Sequence, residues 1–283
     1  MNRAFQELET HMANVHHVLS LSGGKDSSAL AVYLRDRIPD LKYVFCDTGK
    51  ELEETYAYLD DLEAYLGKEI IRLSDDRTFD HWLKLYGNYL PSSNMRWCTK
   101  MLKIKPFERW VEEQLHNDPV LMYVGIRADE DQRKAYVSTK PNIKAVYPFK
   151  EAGIDEAEVY RILADAGLGL PSYYEWRTRS GCYFCFFQRK IEWVGLLERH
   201  PDKFEEAKAY EKVDAETGER YTWNQKESLA ELSDPARVQE IKDRHGKAME
   251  AKQKRRVNLP LVEVFSEALE DEDDDEPCYF CHT

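Results

Sequence analysis

The sequence predicts an α/β protein whose parallel β-sheet carries helices on both faces and is followed by a helical C-terminal region. Three observations carry this expectation. Short, nearly all-apolar runs recur along the chain, each followed by apolar residues at helical spacing. Strands that are apolar on both faces belong to sheets covered on both sides, which are parallel sheets joined by crossover helices. Beyond about residue 150 strand-like runs become scarce, while helical spacing persists.

Residues 16–22 (HHVLSLS) are short and apolar and stop at two glycines, as a buried strand does. Residues 26–37 (DSSALAVYLRDR) then show helical spacing. A second strand, residues 41–49 (LKYVFCDTG), ends in a polar turn. In residues 51–66 the side chains of Leu52, Tyr56, Leu59, Leu62 and Leu66 share one helical stripe. Residues 69–74 (EIIRLS) form a third strand, and a tryptophan- and asparagine-rich loop leads to a helix over 103–115. Residues 119–126 (PVLMYVGI) make a fourth, almost wholly apolar strand. Ligands of such sheets sit beyond the carboxyl ends of the strands. Helical patterns over 155–166 and 201–212 make up the second region, and residues after about 260 form an acidic, low-complexity tail expected to be mobile. The sequence thus divides into residues 1–150, 151–260 and 261–283.

The chain has 283 residues, 42% hydrophobic and 33% charged, which suits an ordinary water-soluble protein with a large core. Seven of its 13 net negative charges lie in one run, residues 270–276 (EDEDDDE), which leaves the rest at −6. A mildly acidic body lacks the global field that attracts nucleic acid. Basic clusters at Lys100, Lys103 and Lys105, at Arg177 and Arg179, and at Lys252, Lys254, Arg255 and Arg256 read as solvated faces. The first residues lack the apolar segment of a secretory signal, and no run is long enough to span a bilayer. A cytoplasmic location without membrane attachment is therefore expected, where thiols are reduced and a CxxC points to metal binding or catalysis.

Residues 18–30 (VLSLSGGKDSSAL) carry the strongest signal. A strand ends, two glycines permit a tight turn, and a helix begins at Asp26 and Ser27. Exposed amides at a helix start bind anions, and glycines let a phosphate approach the backbone. Lys25 adds a point charge, and the absence of GxxxxGK[ST] excludes a Walker-type loop.

This stretch resembles the pyrophosphate-binding loop of the N-type ATP pyrophosphatases (the PP-loop proteins) and of the related phosphoadenosine phosphosulfate (PAPS) reductases. FCDTGKELEETYAYLDDL resembles the second strand and helix of the reductases, RWCTKMLKIKPF their cysteine-plus-basic segment, and GIRADEDQR their Gly-x-Arg…Arg segment. The resemblance implies a Rossmann-like fold of the adenine-nucleotide α-hydrolase type. It implies nucleotide contacts from Ser20, Ser22, Gly23, Gly24, Lys25, Asp26 and Ser27, from Asp47, Thr48 and Gly49, and from Arg127 and Arg133. ATP with Mg2+ is the expected cofactor, because triphosphate charge must be neutralised.

Four of the six cysteines sit in a duplicated Cys-Tyr-Phe-Cys, at Cys182 and Cys185 and at Cys278 and Cys281. In adenylyl-sulfate reductases a cysteine segment and a later CxxC hold a 4Fe–4S cluster, and Cys98, Cys182 and Cys185 fall at comparable places. Here Trp97-Cys98 stands where that family has adjacent cysteines, so the resemblance implies either a three-cysteine cluster with an open iron or a fourth ligand from the tail CxxC, Cys278. Zinc is the alternative, although about ninety residues separate the two pairs. Cys46, in YVFCDT, reads as core. PAPS reductases end in Cys-Gly-x-His carrying the nucleophile; Cys281-His282 lies comparably but lacks the glycine.

The resemblance is greatest to the ATP pyrophosphatases of bacterial DNA phosphorothioation systems. It implies an enzyme of sulfur transfer that adenylates an oxygen acceptor, here a DNA backbone phosphate, with Lys25, Asp26 and Cys281 as catalytic residues. The implied partners are a cysteine desulfurase or other sulfur donor, DNA as substrate, met directly or through a partner protein, and further copies of the chain. The alternative is a PAPS or adenylyl-sulfate reductase using Cys281.

Overall fold

The computed structural model describes residues 15–130, 140–213, 220–224 and 226–255. Arg133, Cys278, Cys281 and the acidic tail lie outside the described residues. Two compact units emerge. The first holds the described residues up to Trp82 and those of Trp97–Cys182; the second holds Leu83–Arg96 and those from Tyr183 onward. The main break between these units falls at Cys182, and residues beyond 150, such as Ile154, Val159 and Leu163, contribute to the sheet's core.

The first unit is built on five parallel strands, β1 (His16–Leu21), β2 (Lys42–Cys46), β3 (Ile70–Leu73), β4 (Val120–Tyr123) and β5 (Ile143–Val146), in the order β3-β2-β1-β4-β5. This is the strand order of a doubly wound, Rossmann-like sheet, and its direction reverses between β1 and β4. The interleaved helices are α1 (Lys25–Leu34), α2 (Glu53–Leu66), α3 (Phe79–Leu85), α4 (Lys105–Gln114), α5 (Pro148–Ala152) and α6 (Glu156–Asp165).

Alternation along the strands explains why both faces are apolar. Leu19, Leu21, Tyr43, Phe45, Leu121 and Tyr123 share one core with Leu30 and Leu34 of α1, Leu59, Leu62 and Leu66 of α2, Phe149 of α5, and Val159 and Leu163 of α6. Val18, Val44, Val120 and Met122 point the other way and meet Phe107 and Val111 of α4 and Leu115 just beyond its end. On α2 the buried stripe is Thr55, Tyr58, Leu59, Leu62 and Leu66. Tyr56 is only partly buried, because its hydroxyl reaches out to the Asp47 carboxylate.

Strand β5 was not legible in the sequence. It is an edge strand, IKAV, with an exposed lysine in its middle, a common way to guard an edge. The helix expected over 103–115 begins earlier, at Trp97, and runs through a π-turn, Lys100–Ile104. The Lys105 amide donates to the Lys100 carbonyl, five residues back. Pro106, with no amide, follows at once, and the wide turn gives way to regular α4.

The second unit contains α7 (Lys190–Arg199), α8 (Pro201–Ala209), α9 (Leu229–Leu232), α10 (Pro235–Arg255) and a two-stranded antiparallel ribbon, β6 (Lys212–Val213) with β7 (Arg220–Tyr221). Its centre is aromatic. Phe184 stacks on Trp223 with ring centroids 5.0 Å apart, and Trp223 lies 6.2 Å from Trp193 and 6.4 Å from Tyr210. The Trp223 indole donates to the Ala207 carbonyl at 2.9 Å, so its polar edge is satisfied inside the core. Half-buried Glu211 accepts from the amides of Trp223 and Leu229, at 3.0 and 2.6 Å. Glu227 lies 2.8 Å from Lys190 and 2.9 Å from Arg237. Among the described residues no helix is long and apolar enough to cross a membrane.

Candidate functional site

Strand β1 ends at Leu21, and α1 starts at Lys25, beside the reversal of strand order between β1 and β4. Three residues make the turn. Gly23 has φ +71°, and a Cβ there would lie 2.6 Å from Thr55 Cγ2. A Cβ on Gly24 would lie 2.7 Å from Ser180 Oγ. The first glycine is required by backbone conformation and the second by close approach. Gly24 is also the N-cap of α1 and supplies no side-chain cap. The helix start is thus not covered by its own cap residue.

Serines and tyrosines hold the loop. Ser27 Oγ takes the Ser22 amide at 3.2 Å, lies 3.1 Å from Ser22 Oγ, and donates to the Gly24 carbonyl at 3.2 Å. Ser180 Oγ donates to Ser22 Oγ at 3.1 Å. The Tyr173 hydroxyl donates to the Gly23 carbonyl at 2.7 Å, and the Tyr174 hydroxyl accepts from the Lys25 amide at 3.1 Å. Burial raises both tyrosine pKa values above the usual range, so these hydroxyls stay neutral. A third glycine, Gly125 just after β4, completes the packing. A Cβ there would lie 2.9 Å from the Asp26 carbonyl oxygen and 3.0 Å from the Ser27 nitrogen.

The charges of the loop are buried and interlocked. Lys25 and Asp26 are 7% and 4% exposed, so their pairing decides their energy. Lys25 Nζ lies 3.2 Å from Asp26 Oδ2, and Arg127 Nη1 donates to Asp26 Oδ1 at 3.0 Å. Arg127 also grips Asp129 with Nε and Nη2, at 2.9 and 3.2 Å. Burial alone would lower the Arg127 pKa, but the Asp129 and Asp26 carboxylates outweigh it and push the pKa up. The same bonds hold Asp129 below its usual value. Glu156, at the start of α6, brings Oε1 to 3.4 Å from Lys25 Nζ and 4.0 Å from Arg127 Nη1.

At the end of β2, Asp47 Oδ1 accepts from the Gly49 amide and the Tyr56 hydroxyl, both at 2.8 Å. Thr48 Oγ1 lies 3.0 Å from Glu51 Oε1 and 3.1 Å from Cys182 Sγ, and Cys182 lies 3.7 Å from the same Glu51 oxygen. Buried Arg177 donates to the carbonyls of Gly181 and Cys182 at 2.9 and 2.7 Å and fixes this turn.

The structure therefore brings Ser22, Gly23, Gly24, Lys25, Asp26, Ser27 and Arg127 together. It sets Asp47, Thr48 and Gly49 at the end of the neighbouring strand, and it keeps Ser20 inside β1 as a buried residue. The cysteines are a different matter. Cys182 sits beside Thr48, Cys98 lies 4.0 Å from the Thr99 hydroxyl, and Cys185 is buried. Among the described residues no three His, Cys, Asp or Glu side chains form a group fit to hold a metal. The iron–sulfur and zinc expectations for Cys98, Cys182 and Cys185 thus find no supporting geometry there, and Cys278 lies outside the described residues. Cys46 is partly buried against the core at the end of β2, donates to the Lys103 carbonyl at 3.5 Å, and has its thiol pushed up to about 11 by desolvation. Sequence reasoning missed Glu51, Gly125, Glu156, Tyr173, Tyr174 and Ser180. Only Gly125, the glycine of the Gly-x-Arg segment, carried a local signal.

Comparison with known proteins places these features in one lineage. The phosphoadenosine phosphosulfate reductase domain matches residues 16–186. An uncharacterized protein of Methanocaldococcus jannaschii is 30% identical over 183 residues, covering 59% of this chain and 35% of that protein. An adenosine 5'-phosphosulfate reductase of Bacillus cereus is 30% identical over 110 residues, covering 38% of this chain and 45% of that enzyme. The chain thus spans less than half the length of these curated relatives. The phosphoadenylyl-sulfate reductase of Candida auris, solved as a phosphate complex, superimposes with a TM-score of 0.48 at 17% identity, over 63% of this chain and 85% of that one. The match to the domain covers more than half of the residues, from the first strand through Cys182, and the chain belongs to the phosphoadenosine phosphosulfate reductase domain family.

Proposed function

We propose that the first unit binds ATP and transfers its adenylyl group to an oxygen acceptor that is then thiolated. The observation that supports this reading is the helix start at Gly24, uncapped by its own side chain and flanked by Lys25 and Arg127 at the reversal of strand order. An acceptor oxygen attacks the α-phosphorus, the bond to the bridging oxygen breaks, and pyrophosphate leaves with the electron pair. The loop amides, Lys25 and Arg127 would receive the charge that develops on pyrophosphate, as donors fixed in advance. Asp26 positions both cations. A sulfur nucleophile then displaces AMP, which carries away the activated oxygen. Mg2+ enters with ATP as part of the substrate and neutralises its phosphates.

By the resemblance of the loop segments, the acceptor would be a DNA backbone phosphate and a cysteine desulfurase the sulfur source. Incubating the protein with ATP and Mg2+, with and without DNA, tests this. Pyrophosphate should appear together with adenylated DNA, AMP should follow in equal amounts once sulfide is added, and Lys25→Ala should abolish both. The likeness to an adenosine 5'-phosphosulfate reductase favours one second reading, a thiol-dependent reductase with Cys281 as nucleophile. Sulfite formed from a phosphosulfate, with ATP left intact, would establish that reading instead.

A further inference from the structure

Lys25 and Arg127, the two cations proposed to receive pyrophosphate, already share an anion that their structural partner Asp26 does not account for. Glu156 Oε1 stands 3.4 Å from Lys25 Nζ and 4.0 Å from Arg127 Nη1. The Glu156 side chain is about half exposed (48%), whereas Lys25 and Arg127 are nearly covered (8% and 11%). Asp155, not Glu156, caps α6, accepting from the Glu158 amide at 2.9 Å. The fold of α6 therefore does not require a carboxylate at position 156. One oxygen held between two phosphate-binding cations is what a phosphate oxygen would be.

We infer that Glu156 is a built-in anion competitor: its carboxylate occupies Lys25 and Arg127 until the polyphosphate of the substrate displaces it. The inference rests on the nucleotide-binding reading of the loop and adds a determinant of its affinity. A partly exposed carboxylate swings out at little cost, so a ligand bearing several phosphate charges wins while a weak monoanion does not.

Calorimetric titration of the full chain with inorganic pyrophosphate tests it, using wild type, Glu156→Gln, Glu156→Asp and, as a control on the same helix, Glu158→Gln. Glu156→Gln should bind pyrophosphate about twofold to fivefold tighter than wild type, and the gain should shrink with added salt. Glu156→Asp, whose carboxylate is drawn back, should fall between the two, and Glu158→Gln should match wild type. Unchanged or weaker binding in both position-156 variants would overturn the competitor role while leaving the loop assignment intact. A wild-type protein that binds neither pyrophosphate nor ATP would overturn both.

Discussion

The first unit closes its core mostly with aliphatic side chains alternating along a parallel sheet, with Tyr43, Phe45, Tyr123 and Phe149 among them, whereas the second centres on rings packed on one another, Phe184, Trp193, Phe204, Tyr210 and Trp223. Their buried charges differ as well. In the first unit Lys25, Asp26 and Arg127 crowd one loop at the ends of the strands. In the second, buried and half-buried charges serve local structure: Glu192 caps α7 by taking the Arg189 amide, and Glu211 takes two backbone amides. Charge gathered at one loop is a binding arrangement, and charge spread over helix starts and turns is a folding arrangement. The difference fits the binding role proposed for the first unit and sets it apart from a unit whose charges serve its own packing.

Two substitutions should break the contrast most strongly. Trp223→Ala removes the ring on which Phe184 and Trp193 rest and should cost about 3–5 kcal/mol in urea unfolding. A cost below about 1 kcal/mol would mean that the ring cluster is not the core of the second unit. Asp26→Ala removes the buried carboxylate between Lys25 and Arg127, leaving half-exposed Glu156 as their shared anion and Asp129 on Arg127, and should cost about 1–3 kcal/mol, along with loss of ATP turnover. Asp26→Asn keeps the shape and should lose turnover with a smaller loss of stability. If Asp26→Ala unfolds at the wild-type midpoint, the loop charges are not interlocked.

Smaller effects sharpen the comparison through pH. Asp129 has a lowered pKa because of its bonds from Arg127, so its contribution is present above the unfolded carboxylate value and is lost as pH falls below it. Glu211 has a raised pKa because burial outweighs its two amide donors, so its contribution is present at acid pH and is lost as pH rises through the folded value. Urea midpoints against pH should therefore fall less steeply in acid for Asp129→Asn, and less steeply with rising pH for Glu211→Gln. The Asp129 effect should be about a few tenths of a kcal/mol, since that carboxylate is partly solvated. Identical profiles for both variants and the wild type would remove this distinction. At the smallest scale, Cys46 with a pKa near 11 should be thiolate at about one part in a thousand at pH 8 and should resist iodoacetamide in a mass-mapped labelling experiment. Rapid alkylation there would show that the strand end is open.

Four of the five strands and the loop were legible because each follows from a rule local in sequence. Apolar runs such as VLSL mark buried strands, and Gly-Gly before a helix marks the turn. Strand β5 was hidden by its edge lysine, and α7 by a core built from rings at irregular spacing. The residues that lock the loop, Tyr173, Tyr174 and Ser180, lie about 150 positions from the residues they touch, and only the folded chain brings them there. Glu156 looked like an ordinary acid in the first turn of a helix. The first Cys-Tyr-Phe-Cys drew attention for its thiols, yet its Tyr183 and Phe184 are fully buried and anchor the second unit.

Strand β1 is paired on both sides, with β2 and with β4, and it feeds straight into the loop at Ser22. In hydrogen–deuterium exchange its amides should be among the last to lose protection, opening only when the whole first unit unfolds. The loop is thus clamped at its root to a segment expected to be among the slowest to exchange of the described residues. Its approach to a ligand can change through the side chains around it, on timescales far shorter than any opening of the strand that bears it.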